Sequence, residues 1–426
     1  QRYTFTATES APNCHQTAPN VLPPVVVGAG PAGLFATLLL ARAGLRPILL
    51  ERGQPVEQRQ KDVENFWSGG PLLPNSNVQF GEGGAGAFSD GKLNTGTKDP
   101  RHRFILEELV SCGAPESILV DAKPHVGTDM LHITLKNMRK KLLSLGADIR
   151  FCHRLEGVET RQGQLTGITV AHGEEIYALP VRNLILALGH SARDTVERLY
   201  GQGLFMEAKP FAVGVRIEHL QSRMDAVQYK EYAGHPALPV SSYKLSCHLP
   251  DGRGVFSFCV CPGGQVVAAA SEPRRTVTNG MSEYARSGEN INGGLLVGVS
   301  PRDFGSDHPL AGIAFQRRLE EAAYRLGGGF TAPCQRVEDF LYHRPSTGCA
   351  SVRPSYRPGV RYADLHDCLP DFIAGALEQA LPLLDKKLPG FADGDALLTA
   401  VESRSSAPVR IPRNEDYESN ITGLYP

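Results

Sequence analysis

One hexapeptide constrains this chain more than any other feature. Gly28-Ala29-Gly30-Pro31-Ala32-Gly33 spells GxGxxG directly after Val25-Val26-Val27, a β-branched run that reads as a strand buried on both faces. Pro31 falls where a first helical turn accepts a residue without an N–H. Leu34, Leu38 and Ala41 then recur at helical spacing until Gly44 stops the helix. Pro47-Ile48-Leu49-Leu50 is the next strand, so residues 25–51 read as one βαβ unit with a parallel pair. A bare GxGxxG is a weak signal, because glycine-rich turns are common. Here the strand before it, the helix after it and Glu51, 18 residues beyond Gly33, complete the context. Gly28 permits the tight turn, Gly30 lets backbone approach a pyrophosphate, and Gly33 lets helix pack on strand; the helix N-terminus offers free N–H groups to phosphate. The turn from Gly28 through Ala29, Gly30, Pro31 and Ala32 to Gly33 is therefore the candidate dinucleotide site, against the alternative of a structural glycine turn. Glu51 is expected to accept from both ribose hydroxyls and to repel a 2′-phosphate. Arg52 either covers the adenine or is solvated surface.

The 426 residues suggest two or three domains. With 44 Lys and Arg against 45 Asp and Glu, the net charge of −1 supplies no overall basic field, and nucleic acid is not an expected partner, a local basic patch apart. No apolar run reaches the roughly 18 residues a membrane helix needs. Nine cysteines without a CxxC pair argue against a zinc ribbon or a disulfide scaffold and suit a reducing compartment. No metal site and a cytoplasmic location are the expectations. Average usage would put about 30 glycines in such a chain; it has 45, an excess that asks where backbone must turn tightly or meet a ligand.

From Pro71 to Gly96 hydrophobic periodicity is lost. A helix follows Thr128-Asp129, read as its N-cap, with Leu131, Leu135, Met138, Leu142 and Leu145 as its stripe and Lys136, Arg139, Lys140 and Lys141 as a solvated face. Residues 148–182 read as a three-stranded meander broken at Gln162-Gly163 and His172-Gly173, leading into a buried strand at 184–188 that ends at Gly189. Beyond 205, strand-like runs at 211–217, 254–261 and 266–270 and helical segments near 310–326 and 371–384 indicate a second, α+β domain. The expected division is a polar leader or tail of a preceding domain at 1–22, a dinucleotide-binding domain at 23–204, an inserted α+β domain at 205–400 and a return to the first at 401–426.

The glycine-rich segment 81–96 is the second candidate site. Its backbone N–H groups, at Gly84 and Gly86 among others, suit an anion nest, and Ser89, Asp90, Lys92 and Asn94 add polar tips. The alternative is an ordered structural loop with a surface lysine. The stretch from Val25 to Gly53 resembles FAD-binding flavoproteins of the glutathione-reductase type. More specifically, GEGGAGAFSDGKLNTG at 81–96, KPHVGTD at 123–129, FAVGVRIEH at 211–219, GVFSFCVCPGG at 254–264, VTNGMS at 277–282 and ESRSSAPVRIPR at 402–413 resemble the bacterial-type FAD-dependent dehydrogenases. The resemblance covers nearly the whole chain. It implies FAD as cofactor, an α/β three-layer Rossmann-like domain with an inserted α+β substrate or cap domain, a further small domain before Gln1, and a glycine-rich flavin-contacting segment after Pro426. It also implies that the 81–96 loop lies near the flavin ring, where a Lys92 ammonium would stabilise the anionic reduced form. Gly189, followed by His190-Ser191, resembles the strand end that passes the cofactor; a simple buried strand end would look the same.

Catalytic candidates are weak: Lys92, Asp90 and His125, the last equally read as packing. Arg404 and Arg410 suit an anionic substrate, a phosphate contact or salt bridging. Cys259 and Cys261 form a CxC whose thiols share one strand face, with buried structural cysteines as the plainer reading. No cysteine lies between Cys14 and Cys112, against the chemistry of disulfide reductases, and no second GxGxxG marks a dedicated NAD(P)H domain. Electrons then come from the substrate or from a nicotinamide, NAD(P)H, docking transiently at the flavin face. The expected function is an FAD-dependent oxidoreductase passing a hydride between a small-molecule substrate and flavin. The alternative is a flavoprotein using FAD structurally or for RNA or partner binding. A third, an NAD-linked dehydrogenase without flavin, is disfavoured only by the resemblance.

Overall fold

The computed structural model describes residues 22–426; the expected leader at 1–22 lies, but for Leu22, outside them. The first region is built on a five-stranded parallel sheet ordered Leu424–Tyr425, Leu184–Leu186, Val25–Val27, Ile48–Glu51, Asp148–Phe151. Alternate strand residues face opposite sides. Val26 and Leu49 therefore join Leu34, Leu38, Val63 and Met138, carried on the helices Pro31–Arg42, Val56–Trp67 and Thr128–Ser144. Val25, Val27, Ile48 and Leu50 instead meet Leu155, Ile168 and Val170 of an antiparallel meander. Helices, parallel sheet and meander make three layers of a Rossmann-like α/β region.

Two details differ from expectation. The meander comprises His153–Arg161, Gln164–His172 and Glu175–Pro180, whereas Asp148–Phe151 pairs in parallel with Ile48–Glu51 as the outer strand of the main sheet. Thr128 is the first helical residue and Gly127, at φ 78°, is the cap, because the Thr128 hydroxyl donates 2.6 Å to the Ser89 carbonyl instead of capping its own helix.

The second region is an eight-stranded mixed sheet. Phe211–Leu220 pairs antiparallel with Asn290–Val299 on one side and Leu397–Glu402 on the other. The helices Ala311–Gly327 and Asp371–Asp385 bury Phe315, Leu319, Leu377 and Leu381 against it. The runs at 254–261 and 266–270 are not two strands: a single strand, Gly254–Ala268, spans most of both, with register shifts between Phe258 and Cys261 and again before Gly264. Its far end, Val266–Ala268, and the two alanines beyond enter the helical core of the first region, where the Trp67 indole donates 2.9 Å to the Ala268 carbonyl. The chain then returns through Val409–Arg410, paired with Glu207–Ala208, to Leu424–Tyr425. Among the described residues no helix is long and apolar enough to cross a membrane.

Candidate functional site

The first glycine turn is fixed by contact, not by preference. Gly28 has φ 104°, and a Cβ there would lie 2.3 Å from the Ala187 carbonyl oxygen; a Cβ on Gly33 would lie 1.8 Å from the Gly28 oxygen. Strand, turn and helix thus pack at a distance no side chain permits. The helix Pro31–Arg42 begins at Gly30 without a side-chain cap, so its first-turn N–H groups face outward with the positive dipole end. They face a cavity of about 280 Å³ whose walls include Gly28, Gly30, Pro31, Ala32, Glu51, Arg52, Gly84 and Gly189. Ala29 and Gly33 lie buried behind the turn. These features fit a diphosphate: a glycine cradle, uncapped helical donors and a carboxylate at the far edge.

Glu51 is 5% exposed, and its carboxylate is held by backbone. Oε1 accepts from Gly53 N at 2.8 Å and Gly81 N at 3.0 Å, and Oε2 from Ala29 N at 2.7 Å. A carboxylate offers about four acceptor sites, so one is left on Oε2: room for a single sugar hydroxyl where two had been expected. Arg52 is neither free nor solvated. Its guanidinium lies 4.0 Å from the Phe80 ring centroid and pairs with Asp194 at 2.9 and 3.0 Å, presenting a flat edge to the cavity.

Beside the glycine turn the cavity is lined by the strand end Leu186 to Gly189 with His190 and Ser191, and Leu186, Leu188, Gly189 and His190 also line a second cavity of about 680 Å³. Arg410, Arg413, Asn414 and Tyr417 furnish its polar side. Burial and then the nearby Arg404 and Arg193 push the His190 imidazole down to about 4, so it is neutral at physiological pH, between the two cavities. Arg404 itself is committed: 7% exposed, it pairs with Glu320 at 3.0 Å and donates 2.5 Å to Ser271, sharing Glu320 with the buried Arg193. Of its expected roles only salt bridging is seen.

The 81–96 loop runs from this cavity to a different cluster. Gly84 and Ala85 line the cavity, whereas Gly86 and Ser89 do not. Asp90 is fully buried; it accepts from Ser282 and Arg286, and Lys92 Nζ lies 2.9 Å from it. Although burial works against it, Lys92 and Arg286 hold the Asp90 carboxyl below the usual carboxylate range. His125 stacks on Tyr284, centroids 5.3 Å apart, with Nε2 3.1 Å from the Tyr284 carbonyl, and burial lowers its pKa. The catalytic candidates Lys92, Asp90 and His125 are therefore brought together with residues 282–286 of the second region, and none lines the first cavity.

Sequence reasoning missed what shapes the cavity from behind. Arg59 is fully buried and donates to the carbonyls of Asn77 at 2.9 Å, Val78 at 3.0 Å and Glu82 at 2.7 Å, which fixes the loop bearing Gln79 and Phe80. An arginine on an amphipathic helix reads as surface, so no local signal marks it. Gln79, Phe80, His153 and Arg154 complete the walls.

Residues 21–61 match the family model for an FAD binding domain, and residues 210–405 match that for the C-terminal domain-like region of FAD-dependent proteins. A protein of Clostridium beijerinckii, described only as uncharacterized, is 50% identical over 406 residues, covering 95% of this chain and 75% of its own length. Similar solved structures include a flavoprotein/dehydrogenase from Cytophaga hutchinsonii, 13% identical with a TM-score of 0.33, over 71% of this chain and 61% of that one. Another is the myxobacterial FAD-dependent halogenase CndH, 14% identical with a TM-score of 0.35, over 71% of this chain and 58% of that one. The chain thus spans less than two thirds of either of these structures. Half-identity along nearly the whole chain, with both matched regions inside it, places this protein in the family of FAD-dependent proteins.

Proposed function

We propose that this protein is an FAD-dependent oxidoreductase that passes a hydride between a small-molecule substrate and the flavin. The observation that carries the reading is the single cavity in which uncapped N–H groups of the helix Pro31–Arg42, the Gly28–Gly33 cradle and the free acceptor of Glu51 converge. It suits the adenosine diphosphate half, with Arg52 at the base. The flavin, when bound, supplies the two-electron chemistry; the chain binds, orients and excludes water. The second cavity, sharing the 186–190 wall, suits substrate, and His190, held neutral, is placed to orient it there by hydrogen bonding. Electrons from a transiently docking NAD(P)H are the second source within this reading.

The test is direct. Full-length protein should retain FAD, read from its absorbance and from the acid-released cofactor by mass spectrometry. Protein that neither co-purifies with flavin nor takes it up on incubation would overturn the reading. With FAD in place, anaerobic bleaching by a candidate substrate supports hydride transfer, whereas turnover only with oxygen would move the assignment to a monooxygenase.

A further inference from the structure

The strand Gly254–Ala268 breaks its register between Phe258 and Cys261, and Cys259 there adopts φ 41°, a left-handed conformation rare for a residue with a side chain. In a regular strand, residues two apart are separated by roughly 6.6 Å, too far for the Cβ atoms of a disulfide, which must approach to about 3.5–4.5 Å. The bulge departs from that regular spacing. The Cys261 thiol donates to the Cys259 carbonyl, with 3.3 Å between sulfur and oxygen.

Their surroundings are cationic. Lys92 Nζ and Arg216 Nη2 each lie 3.8 Å from the Cys261 sulfur, and Arg216 is fully buried. Arg216 pairs with Glu402 at 2.9 Å and also donates to the Cys259 carbonyl at 2.9 Å and Asn292 Oδ1 at 2.6 Å. In this contact group Lys92 and Arg286 pair with Asp90, and Arg216 with Glu402. Lys92, beside the Cys261 sulfur, belongs to the same 81–96 loop whose Gly84 lines the dinucleotide cavity.

We propose that Cys259 and Cys261 are a redox-active dithiol, a second two-electron centre that closes to a disulfide by giving its electron pair to the flavin. The proposal rests on the FAD-dependent reading above. With Cys259 already a thiolate, the one S–H bond on Cys261 breaks and one S–S bond forms; the electron pair and that proton leave the sulfurs, and oxidised flavin becomes the reduced anion. Cys259 is the nucleophile: the adjoining Cys261, with Lys92 and Arg216, holds its thiol well below the usual value against burial, while Cys261 keeps the proton that it donates to the Cys259 carbonyl. A cysteine pair from the second region would thus supply what the sequence around the first βαβ unit lacks.

Two measurements on the full chain decide it. Diamide, an azo oxidant that takes one electron pair, followed by alkylation under denaturing conditions and peptide mass spectrometry, should show the peptide carrying Cys259 and Cys261 two hydrogens lighter and unalkylated. Two alkylated thiols there overturn the proposal whether or not flavin is bound. Anaerobic dithionite titration of the oxidised, FAD-loaded protein should consume two electron pairs, and one pair in Cys259→Ser/Cys261→Ser. Uptake of one pair by the unsubstituted protein, with flavin fully bound, overturns the dithiol and leaves the oxidoreductase assignment standing. Absence of flavin overturns that assignment, while the diamide result still reads the thiols. Should the double variant not fold, the electron count of the unsubstituted protein decides alone.

Discussion

The dinucleotide cavity and the cluster around Arg216 are polar sites built by opposite means. The cavity is made of backbone: glycines that admit no Cβ, uncapped helical N–H groups, and a glutamate whose carboxylate is clamped by three main-chain donors. The Arg216 cluster is made of side chains from five distant segments, contributing Arg216, Cys261, Asn292, Glu402 and Lys92. A backbone site tolerates change in most neighbouring side chains but almost none at its glycines. A side-chain site in a buried, low-dielectric setting fails when any one partner leaves, because the charge left behind has nowhere to go.

That contrast can be broken most sharply at Arg216. Arg216→Met should lower unfolding free energy in urea by about 3–5 kcal/mol, by leaving Glu402 and Asn292 buried and unpaired. Arg216→Met/Glu402→Leu should recover much of it; a single substitution costing under about 1 kcal/mol would show that the pair does not organise this core. In the backbone site, Gly33→Ala should cost about 3 kcal/mol and abolish FAD retention, since its methyl meets the Gly28 carbonyl, whereas Ala32→Ser beside it should do little.

A pH titration compares the regions directly. Burial raises both Glu82, beside the cavity loop, and Glu402, in the cluster, from 4.5 to about 7. Folding therefore favours their protonated forms: that stability is present below the unfolded value and lost as pH rises through about 7, roughly 2–3 kcal/mol for each group. Glu82→Gln and Glu402→Gln should each flatten the decline between pH 5 and pH 7; an unchanged slope would mean that the group titrates normally. The smallest effect falls on Glu51→Gln. Its amide nitrogen cannot accept from the backbone donors, so FAD affinity should weaken about tenfold to thirtyfold, on the order of 2 kcal/mol, with the fold intact by circular dichroism.

How far each site could be read in advance follows the same division. The βαβ unit was legible because its determinants are local: a β-branched run, three glycines at fixed spacing and an apolar stripe at helical period. The helices Ala311–Gly327 and Asp371–Asp385 were visible for the same reason. The strand Asp148–Phe151 was not separable from the meander, because strand partner is a choice among equally extended segments, made by what lies across the gap. Arg59 looked like surface because burial of an arginine depends on carbonyls that only the folded loop presents. Lys92, Asp90 and His125 carry the right chemistry, yet their neighbours are Cys261, Arg286 and Tyr284, more than 150 residues away.

By itself the sequence determined the glycine turn, the acid that follows it and the two-region plan, because backbone sterics and hydrophobic period act over a few residues. The tertiary structure alone decided that Glu51 has one acceptor left, that Arg404 is spent on Glu320, and that the Cys261 thiol on a bulged strand sits beside two cations. Those are facts about partners, and partners in a buried network are set by which distant segments exclude water together.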